Sequence, residues 1–122
     1  MSNKTNTHDL PVLNAEQVMR DMNDDGEIYR EVAQVFLEDA HVQHGHLATV
    51  GSDRSAAIAI IHEVANSLGI IGASRGEQAV RLAERQLLDN PAADSAAAVL
   101  TAMSALTQAQ LALSDWMAGS RP

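Results

Sequence analysis

The chain has 122 residues, which fits a single domain because a second would be too small to bury a core of its own. Its formal net charge of -8 argues against nucleic acid or anionic membrane surfaces as partners and favours a basic or mixed surface. The sequence has no cysteine, so disulfides and thiolate chemistry are excluded as well.

The composition favours an all-α fold. Alanine and leucine are abundant, aromatic residues make up only 2% of the chain, and β-branched residues do not alternate with polar ones. Residues 1–9 are predicted to be a mobile N-terminal tail, residues 10–118 the helical domain and residues 119–122 a C-terminal tail. The start of the chain lacks the apolar core of a signal peptide, and no apolar run approaches the roughly 18 residues of a membrane span. We therefore expect a cytoplasmic protein that does not bind membranes.

Capping and turn residues mark the first two helices. Asn14, with Gln17 three residues later, is typical of a helix N-cap, and this short helix should end near Met22. Residues 21–26 form a turn rich in Asp and Asn, which bond their own backbone. A second helix is predicted over residues 27–50, in which Gly45 marks a kink or an early stop.

The third and fourth helices are separated by a break at residues 72–76. Ser52 or Asp53 is placed to cap the third helix. The fourth spans about residues 75–88 and stops before Pro91, because the residue preceding a proline is pushed out of helical geometry. Its predicted inward residues are Ala79, Val80, Ala83 and Leu87. Its arginines, predicted to point mostly outward, are Arg75, Arg81 and Arg85.

A fifth helix completes the predicted fold. Asp94 or Ser95 caps it, and it extends to Met117, with Gly119 placed to end it. One stripe along this helix contains Leu100, Met103, Leu106, Gln110, Leu113 and Met117. Four long helices with short connections predict an antiparallel four-helix bundle, with the short N-terminal helix lying across one end.

His62, in the third helix, is the most informative residue. At 100° per residue, the large apolar side chains Ile61, Val64, Leu68 and Ile71 fall on the far half of the helix. The stripe of His62 holds mostly small residues, namely Ser55, Ile58, Ala59, Ala65, Asn66 and Gly69. The imidazole should therefore stand in solvent on a smooth patch that another protein can approach closely.

The segment from His62 to Ala73 resembles the signature of histidine-containing phosphotransfer (HPt) domains, His-x-Leu-Lys-Gly-Ser-(Ala/Ser)-x-x-(aliphatic)-Gly-Ala. Val64 replaces the leucine conservatively. The positions that match in register are His62, Ser67, Ile71, Gly72 and Ala73. Upstream, residues 25–32 and 36–39 are similar to the family's segment entering its second helix. The resemblance covers residues 14–118.

The resemblance implies a phosphorelay protein whose histidine accepts a phosphoryl group from one receiver-domain aspartate and passes it to another. His62 would be the acceptor. Residues near the phosphoryl group or on the docking surface would be Asn66, Ala65, Gly69, Ile58 and Ala59. The partners would be receiver domains of a hybrid sensor kinase and of a response regulator, with Mg²⁺ held by the receiver and no cofactor on this chain. We expect a free-standing, monomeric phosphocarrier and not an enzyme.

The sequence departs from the HPt pattern beside the histidine. The family's lysine is Ala65 here, and the following glycine is Asn66. Losing a cation beside a phosphate removes a charge-assisted contact of about 1–3 kcal/mol. Asn66 lies one helical turn beyond His62 and can donate an amide hydrogen bond in partial compensation. An alternative is therefore an interaction module that binds receivers without accepting phosphate.

Two features of the sequence are similar to metal-binding sites. His41, His44 and His46 form a second histidine cluster, and His41 and His44 have the spacing of a metal pair on one helix face. Residues 21–26 imitate the first half of a calcium-binding loop, but the twelfth position of that loop, where a bidentate carboxylate belongs, is Val32. The sequence therefore predicts no calcium site, and the histidine cluster remains the weaker alternative function.

Overall fold

The computed structural model of the chain describes residues 10–119. The predicted N-terminal tail, residues 1–9, and residues 120–122 of the predicted C-terminal tail lie outside this range. Within it the structure has five α-helices and no strand, which confirms the all-α prediction. The helices are α1 (Ala15–Asp21), α2 (Gly26–Thr49), α3 (Arg54–Ile71), α4 (Ser74–Asp89) and α5 (Ser95–Gly119).

The predicted helix starts are set by capping side chains. Asn14 Oδ1 accepts the backbone N–H of Gln17 at 3.3 Å, and Asp53 Oδ1 accepts that of Ala56 at 3.1 Å. Asp25, in the segment that imitates a calcium loop, caps α2 by accepting the N–H of Glu27 at 3.0 Å. Each cap pairs a helix N–H that has no partner within the helix.

Two glycines behave differently from the sequence-based prediction. Gly45 lies inside α2 and does not end it. Gly76 lies inside α4 and not in the break before it, which is confined to Gly72 and Ala73. A Cβ at position 76 would lie 3.2 Å from the Cβ of Ala105, so the absent side chain of Gly76 allows α4 and α5 to approach closely.

α3 is the central helix of the fold, since it packs against each of the other four. Its large apolar residues Ile61, Val64, Leu68 and Ile71 are fully buried, as the helical wheel predicts. Burial of each such side chain contributes about 1.5–3 kcal/mol. α2 and α4 also pack against α5, and α1 packs against α2 and α3. This arrangement leaves one long side of α3 accessible between α2 and α4.

α4 and α5 differ in how well their buried faces were predicted. Val80, Ala83 and Leu87 of α4 are buried as expected. On α5 the expected stripe is wrong at Leu100, whose residue surface is 66% exposed. α5 instead buries a row of small residues, which lets it lie close to its neighbours: Ala98, Ala102, Ala105 and Ala109.

By length and composition, Ser95–Gly119 is apolar enough to cross a membrane, which corrects the expectation that no segment of the chain is. Its most apolar stretch is 33% buried within the fold. Core helices of soluble proteins meet the same criteria, and α5 packs against α2, α3 and α4. One such helix is weak evidence for a membrane span.

Candidate functional site

His62 projects from the accessible side of α3, and its side chain is 57% exposed. Its Nδ1 atom lies 2.7 Å from Oε2 of Glu84 on α4. Because a carboxylate oxygen accepts and does not donate, the ring donates Nδ1–H, and the lone pair of the neutral ring is on Nε2. Nε2 has no hydrogen-bond partner among residues 10–119. The pairing fixes the tautomer and leaves one nitrogen available for chemistry.

Glu84 is held firmly enough to orient the ring. Its side chain is only 13% exposed, so the packing of α4 against α3 restricts its rotamers. A hydrogen bond from a second group to one ring nitrogen is how proteins set the orientation of a reactive or ligating imidazole. Glu84 is not among the residues that the sequence pattern predicts for the site.

The contact between α3 and α4 continues beyond this pair. Arg81 Nη2 donates to Oδ1 of Asn66 at 3.2 Å, and Arg81 Nε donates to Oε2 of Glu77 at 2.9 Å. Glu77 lies over Gly69, where an added Cβ would be 2.7 Å from Glu77 Oε2. We call these residues the α3–α4 ladder: His62, Asn66 and Gly69 of α3, with Glu84, Arg81 and Glu77 of α4.

The predicted docking residues do not all lie on the surface. Asn66 and Ala59 are exposed, and Ile58 is half-buried. Ala65, by contrast, is 0% exposed, which corrects its assignment to a docking surface. Gly69 is half-buried beneath Glu77, so the space that it leaves is used by this chain and not by a partner.

The placement of α4 explains why Ala65 and Gly69 are not on the open surface. α4 packs on the side of α3 that bears His62, Asn66 and Gly69. The side of α3 that stays open is therefore turned towards α2. Glu63 and Ile70 are exposed there, beside His62 and Asn66. The surface that a partner would meet is therefore more acidic and more apolar than the small-residue patch that was predicted.

The remaining motif residues hold the site in place. Ser67 Oγ accepts from Nε2 of the buried Gln43 at 3.0 Å, which ties α3 to α2. Gly72 ends α3 in the left-handed region at φ 83°, and its carbonyl accepts the N–H of Asn14 at 2.8 Å. A Cβ on Gly72 would lie 2.7 Å from Cγ2 of Val18. The glycine therefore allows α1 to pack at the end of α3.

The second histidine cluster does not form a metal site. His44 Nε2 lies 2.9 Å from Oε1 of Gln110 on α5, and His41 and His46 are exposed on α2. In the described part of the chain, no group of three or more His, Cys, Asp or Glu side chains could hold a metal ion. The structure thus gives the metal-binding alternative no support.

No family model, no curated protein and no solved structure matches this chain.

Proposed function

We propose that the chain is a histidine phosphotransfer protein of a phosphorelay, in which His62 accepts a phosphoryl group from the aspartate of one receiver domain and passes it to another. The observation that supports this most is the exposed imidazole whose Nδ1 is held by Glu84 and whose Nε2 has no partner among the described residues. A neutral imidazole nitrogen is a competent nucleophile near neutral pH, and its phosphoramidate is labile enough to transfer the group again.

The transfer step moves the phosphoryl group from the receiver's aspartate to His62. The Nε2 lone pair attacks the phosphorus of the receiver's aspartyl phosphate, an N–P bond forms, and the P–O bond to the aspartate breaks with its electron pair leaving on the carboxylate. The ring becomes more acidic, and Glu84 stabilises or accepts the Nδ1 proton. Mg²⁺ bound by the receiver neutralises charge on the phosphoryl oxygens. Glu84 thus acts as a positioning residue for the nucleophile.

The fold suits this role. The four long helices α2–α5 are proposed to form an antiparallel four-helix bundle, with α1 across one end, and the bundle presents α3 to a partner. The receiver would contact the open side of α3 around Ala59, Glu63, Asn66 and Ile70. We propose a cytoplasmic phosphocarrier that acts between a hybrid sensor kinase and a response regulator.

Two donors test the proposal. The purified chain is incubated with phosphoramidate, which phosphorylates exposed histidines directly, and with a panel of phosphorylated receiver domains. From the receiver domains we expect an acid-labile, alkali-stable label that is absent in His62→Gln and retained in His46→Gln, a matched exposed histidine on α2. Phosphoramidate also reaches the other exposed histidines, so with that donor the label is assigned to His62 by mass spectrometry. A label from the receivers that persists in His62→Gln, or no label on His62 from either donor, would refute the proposal.

A second variant tests the positioning role. Glu84→Gln keeps an oxygen that can accept from Nδ1–H but removes the charge that stabilises the developing imidazolium. We expect transfer to His62 to slow by about 10-fold or more, since positioned acid–base groups contribute 10²–10⁴-fold. The extent of folding, measured by circular dichroism, should not change. Unchanged transfer in Glu84→Gln would show that the pairing is not used in the reaction.

One observation favours a second candidate, a module that binds receivers without accepting phosphate. Glu84 contacts the ring of His62 and Glu63 follows it in sequence, so two carboxylates lie beside the histidine, and Ala65 supplies no cation. This candidate predicts that a receiver binds the open side of α3 and that binding weakens in Ile70→Asp, while no label reaches His62 from either donor.

A further inference from the structure

A phosphoryl group on His62 would enter an acidic environment. Glu84 lies 2.7 Å from the ring, Glu63 follows in sequence on the exposed side, and Glu77 belongs to the same ladder. A phosphoryl group adds about -1.5 to -2 charges near neutral pH. Without a cation at the site, the phosphorylated state would be strongly disfavoured by repulsion.

Most arginines of the described chain are committed elsewhere. The Arg54 guanidinium donates to backbone carbonyls of the α4–α5 connection, including Ala93 at 3.0 Å. Arg30 lies over the ring of Trp116, with its Cζ atom 5.7 Å from the centroid. Arg75 donates to the carbonyl of Leu10. Arg20 is on α1, where it donates to Glu16. Two arginines of α4, Arg81 and Arg85, remain near the ladder.

Arg81 is the one of these two that reaches α3. Its Nη2 donates to Asn66, which is one helical turn from His62 on the same helix, and Arg81 is itself one turn from Glu84 on α4. Arg85 makes no hydrogen bond or ion pair with any described residue. The side chain of Arg81 is 43% exposed, so it has room to change rotamer.

Resting on the proposed function, we propose that Arg81 is the phosphoryl-binding cation of the site. In the unmodified protein its guanidinium is held by Glu77 and Asn66. When His62 carries a phosphoryl group, Arg81 exchanges its contact with Glu77 for the phosphoryl oxygens, and Asn66 keeps it close to the ring. An exposed i,i+4 ion pair is weak, whereas a guanidinium binds phosphate oxygens in two parallel hydrogen bonds, so the exchange is favourable.

This assignment also accounts for Ala65. Position 65 is fully buried, so a lysine there would have to leave the core before it could reach the ring. Arg81 lies on the neighbouring helix and bonds to Asn66, one turn from the histidine, so a change of rotamer would supply the charge that Ala65 does not. The cation is thus provided across the α3–α4 contact instead of along α3.

The test compares Arg81→Gln and Arg81→Lys with Arg85→Gln, a matched removal of an exposed α4 arginine. Each protein is labelled with phosphoramidate, and the phosphoryl group on His62 is titrated by ³¹P NMR. A nearby cation favours the more charged form, so the midpoint should rise by about 0.5–1 pH unit in Arg81→Gln and stay unchanged in Arg85→Gln. Arg81→Lys should restore part of the difference.

The rate of transfer from a phosphorylated receiver gives a second readout. We expect a loss of about 10-fold in Arg81→Gln, the size of one charge-assisted contact, and less than 3-fold in Arg85→Gln. If His62 is labelled but Arg81→Gln matches Arg85→Gln in both midpoint and rate, the role of Arg81 is refuted while the proposed function stands. If His62 is not labelled in the unaltered protein, both are refuted.

Discussion

The stability of the fold should fall at alkaline pH through one residue, Tyr29. Its ring is fully buried against Trp116, with ring centroids 4.9 Å apart and planes at 81°, and its hydroxyl donates to the carbonyl of Ile71 at 2.7 Å. Burial raises the pKa of Tyr29 from 10.0 to about 12. The neutral phenol is therefore favoured in the folded state, and the unfolded state releases the proton more readily.

Proton linkage gives the direction and the magnitude of the change in stability with pH. The folded state binds more protons than the unfolded state between about pH 10 and 12, so the free energy of unfolding falls as pH rises through this window. The contribution is fully present below pH 10. A shift of two pKa units corresponds to about 2–3 kcal/mol, lost over the window.

Urea unfolding at a series of alkaline pH values measures this loss, and phenolate absorbance reports the titration of Tyr29 directly. The phenolate signal belongs to Tyr29 alone, because the chain has one tyrosine. Its single lysine, Lys4, is the one other side chain of this pKa range. Tyr29→Phe should cost about 1 kcal/mol at neutral pH from the lost hydrogen bond but show a flatter alkaline profile. A phenolate midpoint near 10 in the folded protein, or equal slopes for the two proteins, would contradict the reasoning.

Three further predictions concern stability, each measured by urea or thermal unfolding. Ala65→Lys should destabilise the protein by about 1–3 kcal/mol because position 65 is buried, whereas Ala59→Lys on the exposed side should change stability by less than about 0.5 kcal/mol; equal effects would show that the open side of α3 is wrongly placed. Gly72→Ala should cost about 2 kcal/mol or more, since a Cβ is disfavoured at φ 83° and meets α1; a neutral effect would mean that α1 does not pack there. Arg54→Ala should cost about 2 kcal/mol through carbonyls left without their donor, and Arg85→Ala should be nearly neutral; a similar loss in both would rule out a specific role of Arg54.

Local signals predicted the helices well. The sequence predicts Asn14 as one cap and Ser52 or Asp53 as another, because a side-chain oxygen before an apolar run satisfies a free N–H, a requirement that depends only on neighbours in sequence. The structure confirms Asn14 and shows that Asp53 is the second cap. Leu100 was misplaced because α5 is apolar nearly all round, so periodicity alone does not decide which side is buried. The alanine row is the buried side of α5 because small side chains let other helices approach closely, which is a tertiary effect.

In the candidate site too, local sequence signals predicted some features and tertiary packing decided the others. The helical wheel correctly separates His62 from the large apolar residues of α3, but it contains no information on which side the next helix covers. Ala65 was therefore placed on the surface although it is buried.

Finding Glu84 from the sequence would have required the turn between α3 and α4 to be placed at Ala73. Two antiparallel helices joined by a tight turn bring together residues equidistant from that turn. His62 and Glu84 are equidistant in sequence from Ala73, as are Gly69 and Glu77. Reflection through Ala73, in the break that the structure confines to Gly72 and Ala73, identifies both carboxylates of the ladder. Reflection through the centre of the predicted break, residues 72–76, points two positions too far along α4, to Gln86 and Ala79. Neither reflection would have shown that Arg81 bonds to Asn66, because that depends on side-chain rotamers.

The proposed nucleophile His62, the carboxylate of Glu84 and the proposed cation Arg81 all belong to one helical hairpin, residues 54–89. Every contact of the ladder therefore joins residues close in sequence, and the entropy lost in bringing them together is small. The proposed site should therefore form early during folding. Such a hairpin is also a natural unit for transplantation: grafted onto a helical scaffold that offers an apolar surface in place of α2 and α5, it would bring the whole arrangement with it.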